Sequence, residues 1–310
     1  MLYRLSYTSV CEQRRPKRHH ESVYTIGPGM SRVIFSDAFS FSGGNTAKRL
    51  VFSPAVAYTV SREVIVTEYF FTTEEQLPPG VGFTLFGREH LLWLLICLTL
   101  TATLCLFYRR GSPRGRARFR RALGLAIFGC ELARDANLVI QGVFSVYYLP
   151  LHLCGLAVFL TLWHSLRPGE TLANLLYSTC MPGALFAVLF PDWTAFPAFS
   201  YHSIVGFTVH ALLIAYPLSQ VLGGDFCPDA RRLPRCLLWL LGMALPVYLF
   251  DRAVEANYMF LLHPSDGSPL VWLASFLGTP GYLLGYIPMI ALIWLALYLP
   301  FRSGKRKRQQ

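Results

Sequence analysis

Residues 89–121 read EHLLWLLICLTLTATLCLFYRRGSPRGRARFRR. The stretch Glu89 to Tyr108 holds one charge, at its first position, and is otherwise uncharged and mostly apolar. At ~1.5 Å per residue such a run crosses the ~30 Å hydrocarbon core of a bilayer as a helix. The next 13 positions, Arg109 to Arg121, carry seven arginines. A spanning run closed by a basic cluster predicts a transmembrane helix that ends at the cytoplasmic surface.

Six further runs repeat the pattern: Phe119 to Val146, Leu149 to Leu166, Leu172 to Phe190, Phe199 to Leu222, Leu233 to Ala256 and Tyr282 to Phe301. The fold class is therefore all-α, a polytopic membrane helix bundle of about seven transmembrane helices over residues 86–301, followed by a basic cytoplasmic tail at 302–310. Composition agrees, with 54% hydrophobic and 15% charged residues among 310 and a mean hydropathy of +0.42. That is too apolar for an ordinary soluble domain. The net charge of +11 sits in short runs between apolar stretches. Such runs set topology and do not make a nucleic-acid binder. Arg167, the group Arg231, Arg232 and Arg235, and the tail from Arg302 fall in alternate connections, while residues 147–148, 191–198 and 257–281 hold no Lys or Arg. A multi-pass protein of the cell membrane with a cytoplasmic C-terminus is expected. Most of the eight cysteines, among them Cys97, Cys105, Cys130, Cys154 and Cys180, lie in apolar runs, which argues against a disulfide framework or a zinc site.

Residues 1–85 are polar and mixed, with no window long enough to span and no apolar signal core ahead of Arg14 and Arg15. Composition predicts a poorly structured tail, in which Val60 to Phe71 alternates enough to form a strand. Basic residues on an outer tail run against the positive-inside pattern. Translation starting at Met30 or near residue 80 is the alternative account.

An ionisable residue at membrane depth costs ~2.5–3.5 kcal/mol on insertion scales, so each needs a partner or a wet cavity. Glu131, Arg134 and Asp135 share a helical face and allow an internal ion pair. Asp251 and Glu255 share another, with Asn257 just beyond, and His152, His202 and His210 add imidazoles. Two readings stay open for these groups: a network that locks helices together, or a functional pocket. Pro150 suits the first turn of the third helix, which puts His152 near its outer end. Cys154 is two positions on, ~200° round the helix, so the two are not a ready-made nucleophile and base. A lone cysteine in an apolar helix is commonly a packing residue. The chain has no phosphate-cradling GxxxxGK[ST], no GxSxG, no HExxH and no GxGxxG after a strand, so neither cofactor nor metal is expected.

Ordered motifs add a resemblance: LPLHLCG at 149–155, GALFAVLFPD at 183–192, FPAF at 196–199, His210, NYMFL at 257–261 followed by Pro264, GTPGY at 278–282 and YLPF at 298–301. In this order they resemble the YwaF-like family of polytopic bacterial membrane proteins, across about 70% of the chain. That family is similar to eukaryotic transmembrane protein 164, an acyltransferase that forms ether phospholipids with polyunsaturated chains and is thought to use a Cys nucleophile and a His. GALFAVLFP at 183–191 and HALLIAYP at 210–217 carry this similarity, which makes His210 the match for the family histidine. Where the eukaryotic protein has Cys directly before His, this chain has Leu151 before His152, and Cys154 lies one turn along on the face of Leu151.

The resemblance implies a lipid-active acyltransferase or lipid hydrolase with a pocket toward the outer half of the bilayer. In it His210 is the base, Cys154 the candidate nucleophile and His152 a further catalytic candidate. Glu131, Asp251 or Glu255 would orient the histidine, and Arg134, Asp135 and Asn257 complete the polar binding set. The alternative is a non-enzymatic transporter or small-ligand binder using the same groups. Membrane lipids are the implied partners, and no oligomeric state follows from the sequence.

Overall fold

A computed structural model of the chain describes residues 68–302. Eight helices carry them: α1 Arg88–Arg110, α2 Pro113–Ile140, α3 Leu153–Leu166, α4 Glu170–Leu189, α5 Tyr201–Gly223, α6 Leu233–Val254, α7 Pro269–Leu277 and α8 Tyr286–Arg302. No strand forms among the described residues, and most of the alternating stretch from Val60 lies outside them. Five helices are long and apolar enough to cross a membrane: α1, α4, α5, and α6 and α8 with the 3-10 turns that lead into them. The 28 residues of α2 are also long enough, but its first third is arginine-rich; the 14 of α3 rise only ~21 Å.

Each expected run contains a helix, but some limits shift for local reasons. α2 begins at Pro113, ahead of Phe119, because Ser112 caps it by accepting the Gly115 N–H at 3.2 Å with proline in the first turn. It ends at Ile140, six residues before Val146, where Gly142 takes φ +72°. α3 starts at Leu153 with His152 as its N-cap, so Pro150 precedes the helix and does not open it. The connection at 257–281 holds α7, a nine-residue helix of ~14 Å, too short to span, capped by the Ser268 hydroxyl.

α5 is the centre of the bundle, touching α1, α2, α3 and α4. Ile127, Ala157, Val158, Leu175, Leu213 and Tyr216 form the core there, all nearly inaccessible. Trp93 of α1 stacks on Phe207 of α5 with centroids 4.9 Å apart, and its Nε1–H donates to the Ala198 carbonyl at 2.7 Å. α4 carries a π turn over Leu176–Cys180. Pro182 has no N–H to give the Ser178 carbonyl four residues earlier, and that carbonyl takes the Trp294 Nε1–H of α8 at 3.0 Å. By contrast α6 and α8 are covered by little else in the protein and barely touch each other.

The ends of the bundle are latched by polar contacts. At the arginine-rich end Tyr108 donates to Asp225 at 2.6 Å, Arg116 pairs with Asp225 at 3.3 Å, and Arg232 pairs with Glu170. At the opposite end residues 68–87, which composition groups with the polar tail, are seated on the helices. The Phe83 N–H donates to the Thr194 carbonyl at 3.0 Å, the Tyr201 N–H to the Phe70 carbonyl at 2.8 Å, and the Gln141 side chain to the Phe71 carbonyl at 2.8 Å. Gly82 fits there because a Cβ would meet the Thr194 oxygen at 2.1 Å.

α2 and α3 meet at Gly124, where a Cβ would stand 2.5 Å from the Cβ of Ser165. Overpacking of this kind costs ~1–3 kcal/mol. Gly124→Val is expected to lower the thermal midpoint in detergent, and an unchanged midpoint would show that the two helices are not held at this distance.

Candidate functional site

One cavity of about 640 Å³ runs from the end opposite the arginine clusters into the middle of the bundle. Five of the residues expected to form the site border it: Glu131 and Arg134 of α2, His152 and Cys154 at the start of α3, and His210 of α5. His202 borders it too, eight residues before His210, so its polar side descends ~12 Å along α5. Phe186 of α4, Leu240 and Leu241 of α6 and Met289, Ile290 and Ile293 of α8 form an apolar wall. A second cavity of about 460 Å³ at the arginine-rich end, beside Trp163, Arg167 and Trp239, holds none of the residues singled out for the site.

Four expected site residues lie elsewhere. Asp135 pairs with Arg134 at 2.8 Å but does not border the cavity. Asp251 is fully buried on α6, with neither carboxylate oxygen in a hydrogen bond of ordinary geometry, although the Tyr258 N–H and the His152 ring bear on it electrostatically. Glu255 is exposed and ends α6 in the left-handed conformation at φ +58°. That reversal takes it off the helical face it was expected to share with Asp251. Asn257 is a loop staple: its Oδ1 accepts the Leu262 and His263 N–H groups at 3.0 Å and its Nδ2 donates to the His263 carbonyl at 3.0 Å.

The geometry at His210 differs from the carboxylate-oriented histidine expected. Its Nδ1–H donates to the Gly206 carbonyl, one turn earlier on the same helix, at 2.7 Å. Its Nε2 is buried without any hydrogen-bond partner, and Trp193 stacks on the ring with centroids 5.1 Å apart. His152 is clamped from the 3-10 turn Tyr258–Phe260: the Met259 N–H donates to its Nδ1 at 3.3 Å, and the Tyr258 and Phe260 rings lie 5.0 and 5.4 Å from it. Met259 and Phe260 hold left-handed backbone at φ +53° and +54°, strain of ~1–3 kcal/mol per residue that the surrounding contacts must hold in place. Cys154 keeps surface toward the cavity but makes no hydrogen bond to either histidine. The thiol and the His210 imidazole are thus brought to one cavity but not joined.

Sequence reasoning missed Asp192, Trp193 and Glu74, all on the cavity. Asp192 lies within electrostatic reach of His152, Cys154 and His210. It closes the motif GALFAVLFPD in a Lys- and Arg-free connection, a signal available in the sequence but read only as family pattern. Burial first, and then the neighbouring Asp192 and Glu75 carboxylates, raise the Glu74 carboxyl above its ordinary value. Among the described residues no group of His, Cys, Asp and Glu gathers in a form able to hold a metal ion.

Arg134 meets Glu131 and Asp135 at 2.8 Å each, and the Glu131 side chain is only 7% exposed. Removing the cation strands a buried carboxylate, which costs ~3 kcal/mol or more, whereas removing Glu131 leaves the guanidinium with Asp135. Arg134→Met is therefore expected to lower the thermal midpoint clearly more than Glu131→Gln. Equal small effects would mean that both groups already reach water.

The sequence model of the TMEM164 family matches residues 85–298, well over half of the chain and nearly all of the helices described above. An uncharacterized protein of Treponema pallidum (strain Nichols) is 30% identical over 162 residues, which cover 52% of this chain and 66% of that relative's length. No solved structure matches. The relative's own function is thus no guide, but the family match runs through every helix that builds the cavity, and the chain belongs to the TMEM164 family.

Proposed function

We propose that the protein is a lipid-active acyltransferase or lipid hydrolase with His210 as its general base. The observation that carries this reading is the unpartnered Nε2 of His210 at a cavity that is polar on one side and apolar on the other. With Nδ1–H engaged by the Gly206 carbonyl, the neutral ring keeps a lone pair on Nε2 for a substrate proton. Phe186, Leu240, Met289 and Ile293 suit an acyl chain, and a lipid reaches them from the bilayer between α6 and α8, which barely pack on each other. Since no base stands within hydrogen-bond reach of Cys154, water or a lysolipid hydroxyl attacks the ester directly, without a thioester.

A second reading, a proton-coupled transporter or small-ligand binder, is favoured by Asp251, a buried carboxylate with no hydrogen bond of ordinary geometry. Lipid turnover separates the two. His210→Gln is expected to cut turnover by ~10²-fold or more while lipid binding survives, and Cys154→Ser to retain turnover. Unchanged turnover in His210→Gln would sink the enzyme reading. Loss confined to Cys154→Ser would restore the thiol as nucleophile.

The arginine-rich end is taken as cytoplasmic, which puts the cavity toward the outer half of the bilayer. Cys227, exposed at that end, supplies a native reporter. In intact cells a membrane-impermeant maleimide is expected to leave Cys227 unlabelled until permeabilisation, as read by mass spectrometry of its peptide. Labelling before permeabilisation would invert the topology.

A further inference from the structure

The two histidines at the cavity are held by hydrogen bonds of opposite sense. At His210 the partner of Nδ1 is a carbonyl, which only accepts, so Nδ1 carries the proton and Nε2 the lone pair. At His152 the partner of Nδ1 is the Met259 backbone N–H, which only donates, so Nδ1 carries the lone pair and, in the neutral ring, Nε2 the proton. The fold constrains both choices. Gly206 stands one turn before His210 on α5, and the Met259 N–H is aimed by a turn in which two successive non-glycine residues are left-handed. Both residues border the same cavity; His210 Nε2 is buried without a hydrogen-bond partner, and the hydrogen bond that holds His152 engages its Nδ1 and not its Nε2. One imidazole therefore offers an acceptor and the other a donor.

We propose that His152 is a catalytic hydrogen-bond donor, its Nε2–H receiving the carbonyl oxygen of a phospholipid acyl ester while His210 Nε2 serves as the base. This role rests on the lipid-ester reading above. His210 Nε2 takes the proton from the attacking hydroxyl, of water or of a lysolipid, as its oxygen bonds to the acyl carbon. The carbonyl π electrons move to the oxygen, and the resulting oxyanion is held by the His152 Nε2–H. As the tetrahedral adduct collapses, the bond from the acyl carbon to the leaving oxygen breaks, and that oxygen recovers the proton from the His210 imidazolium. The products are a new ester or a free fatty acid, plus the lysolipid, with no outside reactant.

The roles differ in what a glutamine can replace. Gln at 152 accepts the Met259 N–H through its amide oxygen and donates through its amide nitrogen, so it supplies both functions of the neutral imidazole. Gln at 210 is not a base. The probe is phosphatidylcholine vesicles with one fluorescent acyl chain and lysophosphatidylcholine as acceptor, with free and transferred fatty acid both scored. His152→Gln is expected within ~10-fold of wild type, His152→Ala down by ~10²-fold, and His210→Gln down by ~10²-fold or more. Ring ¹⁵N spectra of histidine-labelled protein in phosphatidylcholine nanodiscs, assigned with the two glutamine variants, are expected to place the proton on Nε2 of His152 and Nδ1 of His210. A folded His152→Gln as inactive as His152→Ala, or a proton on Nδ1 of His152, overturns the donor role while leaving His210 as base. Wild type without turnover sinks the lipid-ester reading and the catalytic role with it, and the ¹⁵N spectra still decide the tautomers.

Discussion

Hydrocarbon supplies no hydrogen bonds, so every polar group inside the bundle must find its partner within the chain. Most do. Arg134 joins Glu131 and Asp135, His164 Nδ1 lies 2.9 Å from the Tyr216 hydroxyl, and the indoles of Trp93 and Trp294 find the Ala198 and Ser178 carbonyls. Some do not: Thr73 Oγ1, Asn137 Nδ2 and the Asp251 carboxylate are buried without a hydrogen bond of ordinary geometry away from the cavity. Trp193 Nε1, His202 Nε2 and His210 Nε2 are buried without partners, and all three residues border the same cavity. Their shared position favours a functional pocket over a purely structural network.

The helices were legible because their signal is local. Twenty apolar residues followed by arginines need no knowledge of the rest of the chain, and α1 is found within two residues of where Glu89 and Tyr108 place it. Where local signals compete, legibility falls: the Ser112–Pro113 cap starts α2 inside the arginine cluster that hydropathy treats as a loop. α7 is too short for a spanning window and hides in a connection. In the cavity, Glu131, Arg134, His152 and His210 stand out because each interrupts an apolar run, and Cys154 through the family resemblance. Asp192 and Glu74 do not, since a carboxylate in a polar connection is unremarkable until the fold carries it to a cavity mouth. Asp251, Glu255 and Asn257 show the converse error. Helical spacing says which residues share a face, but not where the helix stops, and α6 reverses at Glu255.

The division of labour between helices bears on how such a site can work. The chemically capable groups stand on α2, α3 and α5 or at their ends, helices that pack on one another around Ile127, Val158 and Leu213. Tight packing fixes side-chain directions to the fraction of an ångström that proton transfer needs. The apolar wall stands on α6 and α8, which the rest of the protein scarcely covers. With few contacts to the rest of the protein, these two helices are the ones whose displacement would disturb the core least. In the proposed mechanism, rigidity is thus placed where a base and a donor would face one carbonyl, and compliance where a long chain would enter from the bilayer and leave. Trp294 ties these regimes together, because its indole holds α8 to the Ser178 carbonyl that Pro182 leaves without its usual helical donor. A proline in α4 therefore frees the carbonyl by which α8 is held to the rigid part of the bundle.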